Sequence, residues 1–112
     1  VVVDGMNKVT NGSRGTARGV SRPSSSFRFG GKTGSVQVKR ISLDDRRVGN
    51  VKNKDKPWAE RDHAMFVGYA PLTSPRYVVS VVVEHGGDGS TMAAPIARDI
   101  LEKTIELDPV AL

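Results

Sequence analysis

The stretch that most restricts the fold runs Phe27-Arg-Phe-Gly-Gly-Lys-Thr-Gly-Ser-Val-Gln-Val38. Its end alternates like a β-strand, with Val36 and Val38 on one face and Gln37 on the other. Its centre, Gly31-Lys32-Thr33-Gly34-Ser35, carries little bulk. Gly30, Gly31 and Gly34 let a second backbone or a ligand come close. Lys32 adds a point charge suited to an anion, and the hydroxyls of Thr33 and Ser35 can donate to it. The segment therefore predicts a strand over 27–38 that bears polar chemistry. The rest of the chain must supply a sheet for it.

Two further strands follow. His63-Ala-Met-Phe-Val-Gly-Tyr-Ala-Pro71 alternates, with Phe66 and Val67 on opposite faces and a proline stop. Leu72-Thr-Ser-Pro-Arg76 has turn chemistry. Tyr77-Val-Val-Ser-Val-Val-Val-Glu84 is β-branched and apolar on both faces, the signature of a central strand. The pair predicts an antiparallel hairpin over 63–85. After the break at His85-Gly-Gly-Asp-Gly89, Ser90 or Thr91 is expected to cap a helix over 90–107, with Pro95 in its first turn. Ile96, Ala97, Ile100, Leu101 and Ile105 form its apolar stripe, and Pro109 ends it.

At the other end, Val2, Met6 and Val9 recur at helical spacing, so residues 1–12 are expected to end an amphipathic helix, with Gly12 free to take positive φ after the last turn. No regular structure is expected over 22–26. Lys39 to Asp62 holds eight basic and five acidic residues and few apolar ones. It predicts a long solvated basic loop over 39–62 with room for a short helical turn, and with Trp58 packing it down. The expected fold class is α+β: three antiparallel strands packed with a C-terminal helix, and little apolar material for the other sheet face.

The balance of charge and aromatics narrows the partners. A net charge of +5 permits an anionic partner, but 5% aromatic residues are too few for a base-stacking surface, so no nucleic acid is expected. No cysteine is available for a disulfide or a thiolate metal site. His63 and His85, taken to sit at opposite ends of the hairpin, have no ligand-spaced partner and are expected to be structural; no metal and no cofactor is expected. Asp88 fits turn or cap chemistry better than calcium.

Several stretches together resemble one family. Phe29-Gly-Gly-Lys-Thr-Gly-Ser-Val-Gln37 is similar to the Lys-Thr-Gly strand of penicillin-binding proteins. His63 to Pro71 resembles the strand that follows it, Val81-Val-Val-Glu-His-Gly-Gly87 with Ala93-Ala-Pro-Ile-Ala97 the last strand and helix, and Gly15-Thr-Ala17 the turn before the motif. The segments look most like class B transpeptidases of the elongation type, the penicillin-binding protein 2 group, over the C-terminal part of the transpeptidase domain. Neither Ser-x-x-Lys nor Ser-x-Asn occurs. The resemblance therefore places the nucleophile upstream of Val1 and expects this chain alone to be inactive.

The resemblance implies that Lys32 and Thr33 hold the terminal carboxylate of a peptidoglycan stem peptide or a β-lactam. It implies that the Ser35 backbone N–H serves the oxyanion hole and that the Ser35 hydroxyl also touches the substrate carboxylate, with Gly34 keeping the strand edge open to substrate and Gln37 at the rim. It further implies a periplasmic location in a parent anchored by an N-terminal helix, and an elongation-type membrane glycosyltransferase as partner. The rival enzyme class is a serine β-lactamase or D,D-carboxypeptidase. A non-catalytic assembly module is the rival outside enzymes. Because the family's sheet pairs its last strand with a strand missing here, Tyr77 to Glu84 would present an open edge, and a stable form is expected to need the missing half or a second copy.

Overall fold

Alternating apolar residues and small glycine gaps build one sheet. The computed structural model describes residues 1–21, 27–40, 42–49 and 51–108. Strands β1 (Gly30–Val36), β2 (His63–Ala70) and β3 (Tyr77–Val83) pair antiparallel in the order β1-β2-β3. The register sets Gly31 opposite Gly68, Thr33 opposite Phe66 and Ser35 opposite Ala64. Phe66 in turn lies opposite Val81. Residues paired across an antiparallel ladder share a face. Phe29, Ala64, Phe66 and Val81 thus form one inner surface, and all are buried.

Helix α3 (Ala94–Leu107) covers that surface with Ala97, Leu101 and Ile105. Ile96 and Ile100, expected in the same stripe, are 44% and 45% exposed. The correction follows from side-chain size at the seam. Alanines at 94 and 97 bring the helix close to the strands, and the contact row runs 94, 97, 101, 105, which leaves 96 and 100 on the flank. A one-turn π-helical segment, Gly89–Ala93, precedes α3, and its cap is Asp88 rather than Ser90 or Thr91. Asp88 accepts from the Ser90 backbone N–H at 3.2 Å and from the Ser90 and Thr91 hydroxyls at 2.6 and 3.1 Å. At the far end the Tyr77 hydroxyl donates to the Asp108 carboxylate, tying β3 to the end of α3.

Helix α1 (Val2–Asn11) lies against the opposite face at the β1 edge. Tyr69 Oη donates to the Val3 carbonyl at 3.3 Å, and the buried Thr10 hydroxyl donates to the Phe29 carbonyl at 2.6 Å. Gly12 does not take positive φ; it is extended at φ −77°. Its need for glycine is close approach instead, since a Cβ there would lie 2.6 Å from the Lys8 carbonyl oxygen. Elsewhere this face is open, with Val67, Val78 and Val82 exposed. Among the described residues β3 has β2 as its one neighbour, so it is an edge strand here and not a central one.

The 39–62 connection carries short turns of helix along an exposed path. It contains helix α2 (Leu43–Arg47) and 3₁₀ turns at Asn53–Asp55 and Trp58–Glu60. Trp58 stays 61% exposed and packs on His85, ring centres 4.2 Å apart. His63 and His85 are at the same end of the hairpin, 4.6 Å apart, because the start of one antiparallel strand meets the end of its partner. The 22–26 connection and the Pro109 stop fall outside the described residues.

The α3 packing predicts unequal costs along the helix. Leu101→Ala should destabilise this chain by about 2–5 kcal/mol. Ile100→Ala should cost about 0.5 kcal/mol or less. Denaturant unfolding of the two variants checks the contrast, and equal losses would contradict it.

Candidate active-site wall

The Lys-Thr-Gly strand is built by removing side chains. A Cβ at Gly31 would lie 2.2 Å from Phe66 Cζ, and one at Gly30 would lie 2.6 Å from Tyr69 Oη. Large rings on β2 therefore sit under the backbone of β1, which brings the strand close to its neighbour. At Gly34 a Cβ would make only ordinary contact with Met65, at 3.5 Å. The tight approach there comes from Gly89, where a Cβ would lie 2.9 Å from the Gly34 carbonyl oxygen and 2.5 Å from that of Met65. The start of the last helix is thus pressed on the strand beside Ser35.

Strand alternation sends Lys32 to the face of α1 and Thr33 and Ser35 to the other. Lys32 is exposed, and its Nζ donates to the Thr33 carbonyl at 2.9 Å. It lines an open groove of about 470 Å³ together with Lys8, Val9, Gly12, Arg14 and Thr16. Three cations, Lys8, Arg14 and Lys32, edge this groove, and Asp4 engages Lys8 at 3.0 Å. Such a groove carries a positive field suited to an anion. Thr33 does not itself line the groove; its hydroxyl lies 3.4 Å from that of Thr16, which does. Ser35 is held elsewhere: its Oγ donates to the Gly87 carbonyl at 3.3 Å. Gln37 lies just past the end of β1 and is exposed. Lys32 therefore lines the groove and Thr33 meets it only through Thr16, whereas the Ser35 hydroxyl is drawn to the turn after β3.

The penicillin binding protein transpeptidase domain, as a family profile, matches residues 1–102. The chain belongs to that family. Peptidoglycan D,D-transpeptidase MrdA of Haemophilus influenzae is 38% identical over 98 residues, which is 88% of this chain and 14% of that protein. MrdA of Acinetobacter baumannii is 34% identical over 85 residues, 73% of this chain and 12% of that protein. Penicillin-binding protein 2 (PBP2) of Pseudomonas aeruginosa superposes with a TM-score of 0.70 at 35% identity, over 98% of this chain and 20% of that one. The Helicobacter pylori PBP2 in a complex with MreC gives 0.72 at 29% identity, over 95% and 17%. The chain thus spans 14% or less of the length of these curated relatives. The α+β arrangement of three antiparallel strands and a C-terminal helix is that of the penicillin-binding transpeptidase fold.

Within this transpeptidase segment, sequence patterns missed Thr16, Arg14 and Lys8 as neighbours of Lys32. The short Gly15-Thr-Ala17 turn was the one available signal. Gly15 is required there because a Cβ would lie 2.3 Å from the Val9 carbonyl oxygen, and the Ala17 N–H donates to that same oxygen at 3.0 Å.

The Asp88 cap predicts a pH dependence. The Ser90 hydroxyl, with further bonds from Ser90 and Thr91, holds the Asp88 carboxyl below its usual range against an opposing desolvation by burial. A carboxylate with a lowered folded pKa stabilises above its unfolded value of about 3.9, and that contribution fades as pH falls through the folded value. Asp88→Ala should therefore cost about 1 kcal/mol or less at pH 7. Its thermal unfolding should converge on that of the parent sequence in strong acid; a gap that persists there would refute the assignment.

Proposed function

We propose that this chain is the Lys-Thr-Gly wall of a peptidoglycan D,D-transpeptidase, a serine acyltransferase that penicillins inhibit. The observation that carries the proposal is Lys32 in a cation-edged groove beside the glycine-cleared strand, with the Thr33 hydroxyl against the lining Thr16. An ammonium and a hydroxyl on a rigid strand suit the terminal carboxylate of a stem peptide or a β-lactam. The Ser35 backbone N–H would serve the oxyanion hole, a donor worth roughly 3 kcal/mol in a transition state. Gly34 keeps its approach clear, and Gln37 would meet substrate at the rim.

In the complete enzyme a serine outside this chain attacks the penultimate D-Ala carbonyl, D-Ala departs, and the amine of a second stem peptide takes the acyl group. Neither Ser-x-x-Lys nor Ser-x-Asn is present here, so the nucleophile must come from elsewhere. The likeness to MrdA and PBP2 supports a role in cell-shape maintenance on the periplasmic face of the inner membrane. No described helix is long and apolar enough to cross a membrane. An elongation-type glycosyltransferase is the proposed membrane partner, and the Helicobacter pylori PBP2 complex adds MreC as a second candidate.

The β3 edge, unpaired among the described residues, and the exposed Val67, Val78 and Val82 support completion of the fold by the remainder of a transpeptidase domain. Alone, the chain should self-associate, and a monodisperse monomer in light scattering would contradict this. Fluorescent penicillin tests the catalytic proposal directly. The isolated chain should remain unlabelled, and a complete domain containing it should label. Lys32→Ala should slow that labelling by about 30- to 100-fold, the loss of one charged hydrogen bond. Labelling of the isolated chain, or an unchanged rate in the variant, would overturn the assignment.

A further inference from the structure

The basic connection after β1 ends in a brace. The Asp62 backbone N–H donates to Asn53 Oδ1 at 3.0 Å, and Asn53 Nδ2 donates to Asp62 Oδ2 at 3.3 Å. Lys56 Nζ lies 4.0 Å from the second Asp62 oxygen, which has no hydrogen-bond partner among the described residues. Held from both sides, Asp62 presents its carbonyl to the Gly87 N–H at 2.9 Å. Gly87 is buried at φ +85°, and its α-carbon packs beside Asn53: a Cβ added there would meet Asn53 Cβ at 3.3 Å. The carbonyl of the same glycine, in the next peptide unit, reaches the active-site wall, because it accepts from Ser35 Oγ.

This turn would not hold its shape unaided. His85 precedes it at φ 53°, a left-handed conformation that costs a side-chain-bearing residue roughly 1 kcal/mol or more. It stays there because its N–H donates to His63 Nδ1 at 2.9 Å and its own Nδ1 lies 2.9 Å from the Arg61 carbonyl. Trp58 covers its ring. Every one of these restraints comes from the end of the 39–62 connection or from the residue directly after it.

We propose that Asn53 is a positioning residue: by clamping Asp62 it fixes Gly87, and through the Ser35 hydroxyl it fixes the direction of the Ser35 backbone amide. The inference rests on the proposed oxyanion role of Ser35. It gives part of the loop, otherwise a solvated charged surface, a defined task in acyl transfer.

The test uses a complete transpeptidase domain containing this segment and follows the rate of acylation by fluorescent penicillin. Asn53→Ala should slow acylation by about 5- to 10-fold while the labelled end point stays full. In a Ser35→Ala background, where the hydroxyl link is already cut, the same substitution should change the rate by less than about 2-fold. An equal slowing in both backgrounds would mean that Asn53 merely stabilises the hairpin end, and an unchanged rate in Asn53→Ala would mean that it positions nothing. Either result overturns the proposal. If Asn53→Ala reaches no full end point, Asn53→Ser, which keeps a hydrogen-bonding oxygen, replaces it in the same cycle. Lys32→Ala is run alongside. A wild-type rate in that variant would instead locate the failure in the active-site assignment beneath the inference.

Discussion

The ring of Phe66 fills the volume that a side chain at Gly31 would need, and much of the remaining structure depends on that exclusion. It joins two requirements that usually conflict. The core needs a large apolar ring under the sheet, and the wall needs a strand whose polar groups are not crowded by their own neighbours. Placing the bulk on β2 and the emptiness on β1 meets both. Gly68 extends the arrangement to α3, since a Cβ there would lie 2.9 Å from the Phe66 ring and 3.2 Å from Leu101. Core packing is therefore continuous from the last helix through the middle strand to the backbone that carries Lys32 and Thr33.

The two faces of β1 then divide the chemistry. On one, Lys32 joins Lys8 and Arg14 around the groove beneath α1. On the other, Ser35 is tethered to the turn that opens the last helix. In the proposed roles, charge would attract a ligand at the first, while rigidity is supplied at the second. An ammonium tolerates small displacements because Coulomb attraction changes slowly with distance, whereas an oxyanion donor loses value steeply with angle. The proposed division of roles would suit a cation on an open groove and a serine tied by its hydroxyl to the Gly87 carbonyl.

Much of this was legible in the residues. Alternation over His63 to Pro71 and the β-branched run from Tyr77 specified the hairpin, because a period of two with a turn between is hard to satisfy otherwise. The Lys-Thr-Gly segment was legible as polar chemistry on a strand, though the strand proper is only Gly30–Val36. What the patterns could not convey was mutual approach. Ile100 and Leu101 are equally apolar, and only the alanines beside them decide which one faces the sheet. The histidines are far apart in sequence but adjacent in the hairpin. Asn53 gives no local sign that its amide will meet Asp62, nine residues on, and through it a glycine beyond the next two strands.

The tight seat of Gly89 on the backbone of Gly34 and Met65 has a consequence for how such a chain can vary in length. Leu43, Asp44, Arg46, Arg47 and Val48 are exposed on the long connection, so insertion or deletion there is absorbed at small entropic cost. Between His85 and Gly89 there is no such slack. One added residue would rotate the capping carboxylate of Asp88 away from its helix, shift the carbonyl that holds Ser35, and drive a side chain toward the Lys-Thr-Gly backbone. Natural drift in loop length should therefore be tolerated on one side of the hairpin and almost forbidden on the other.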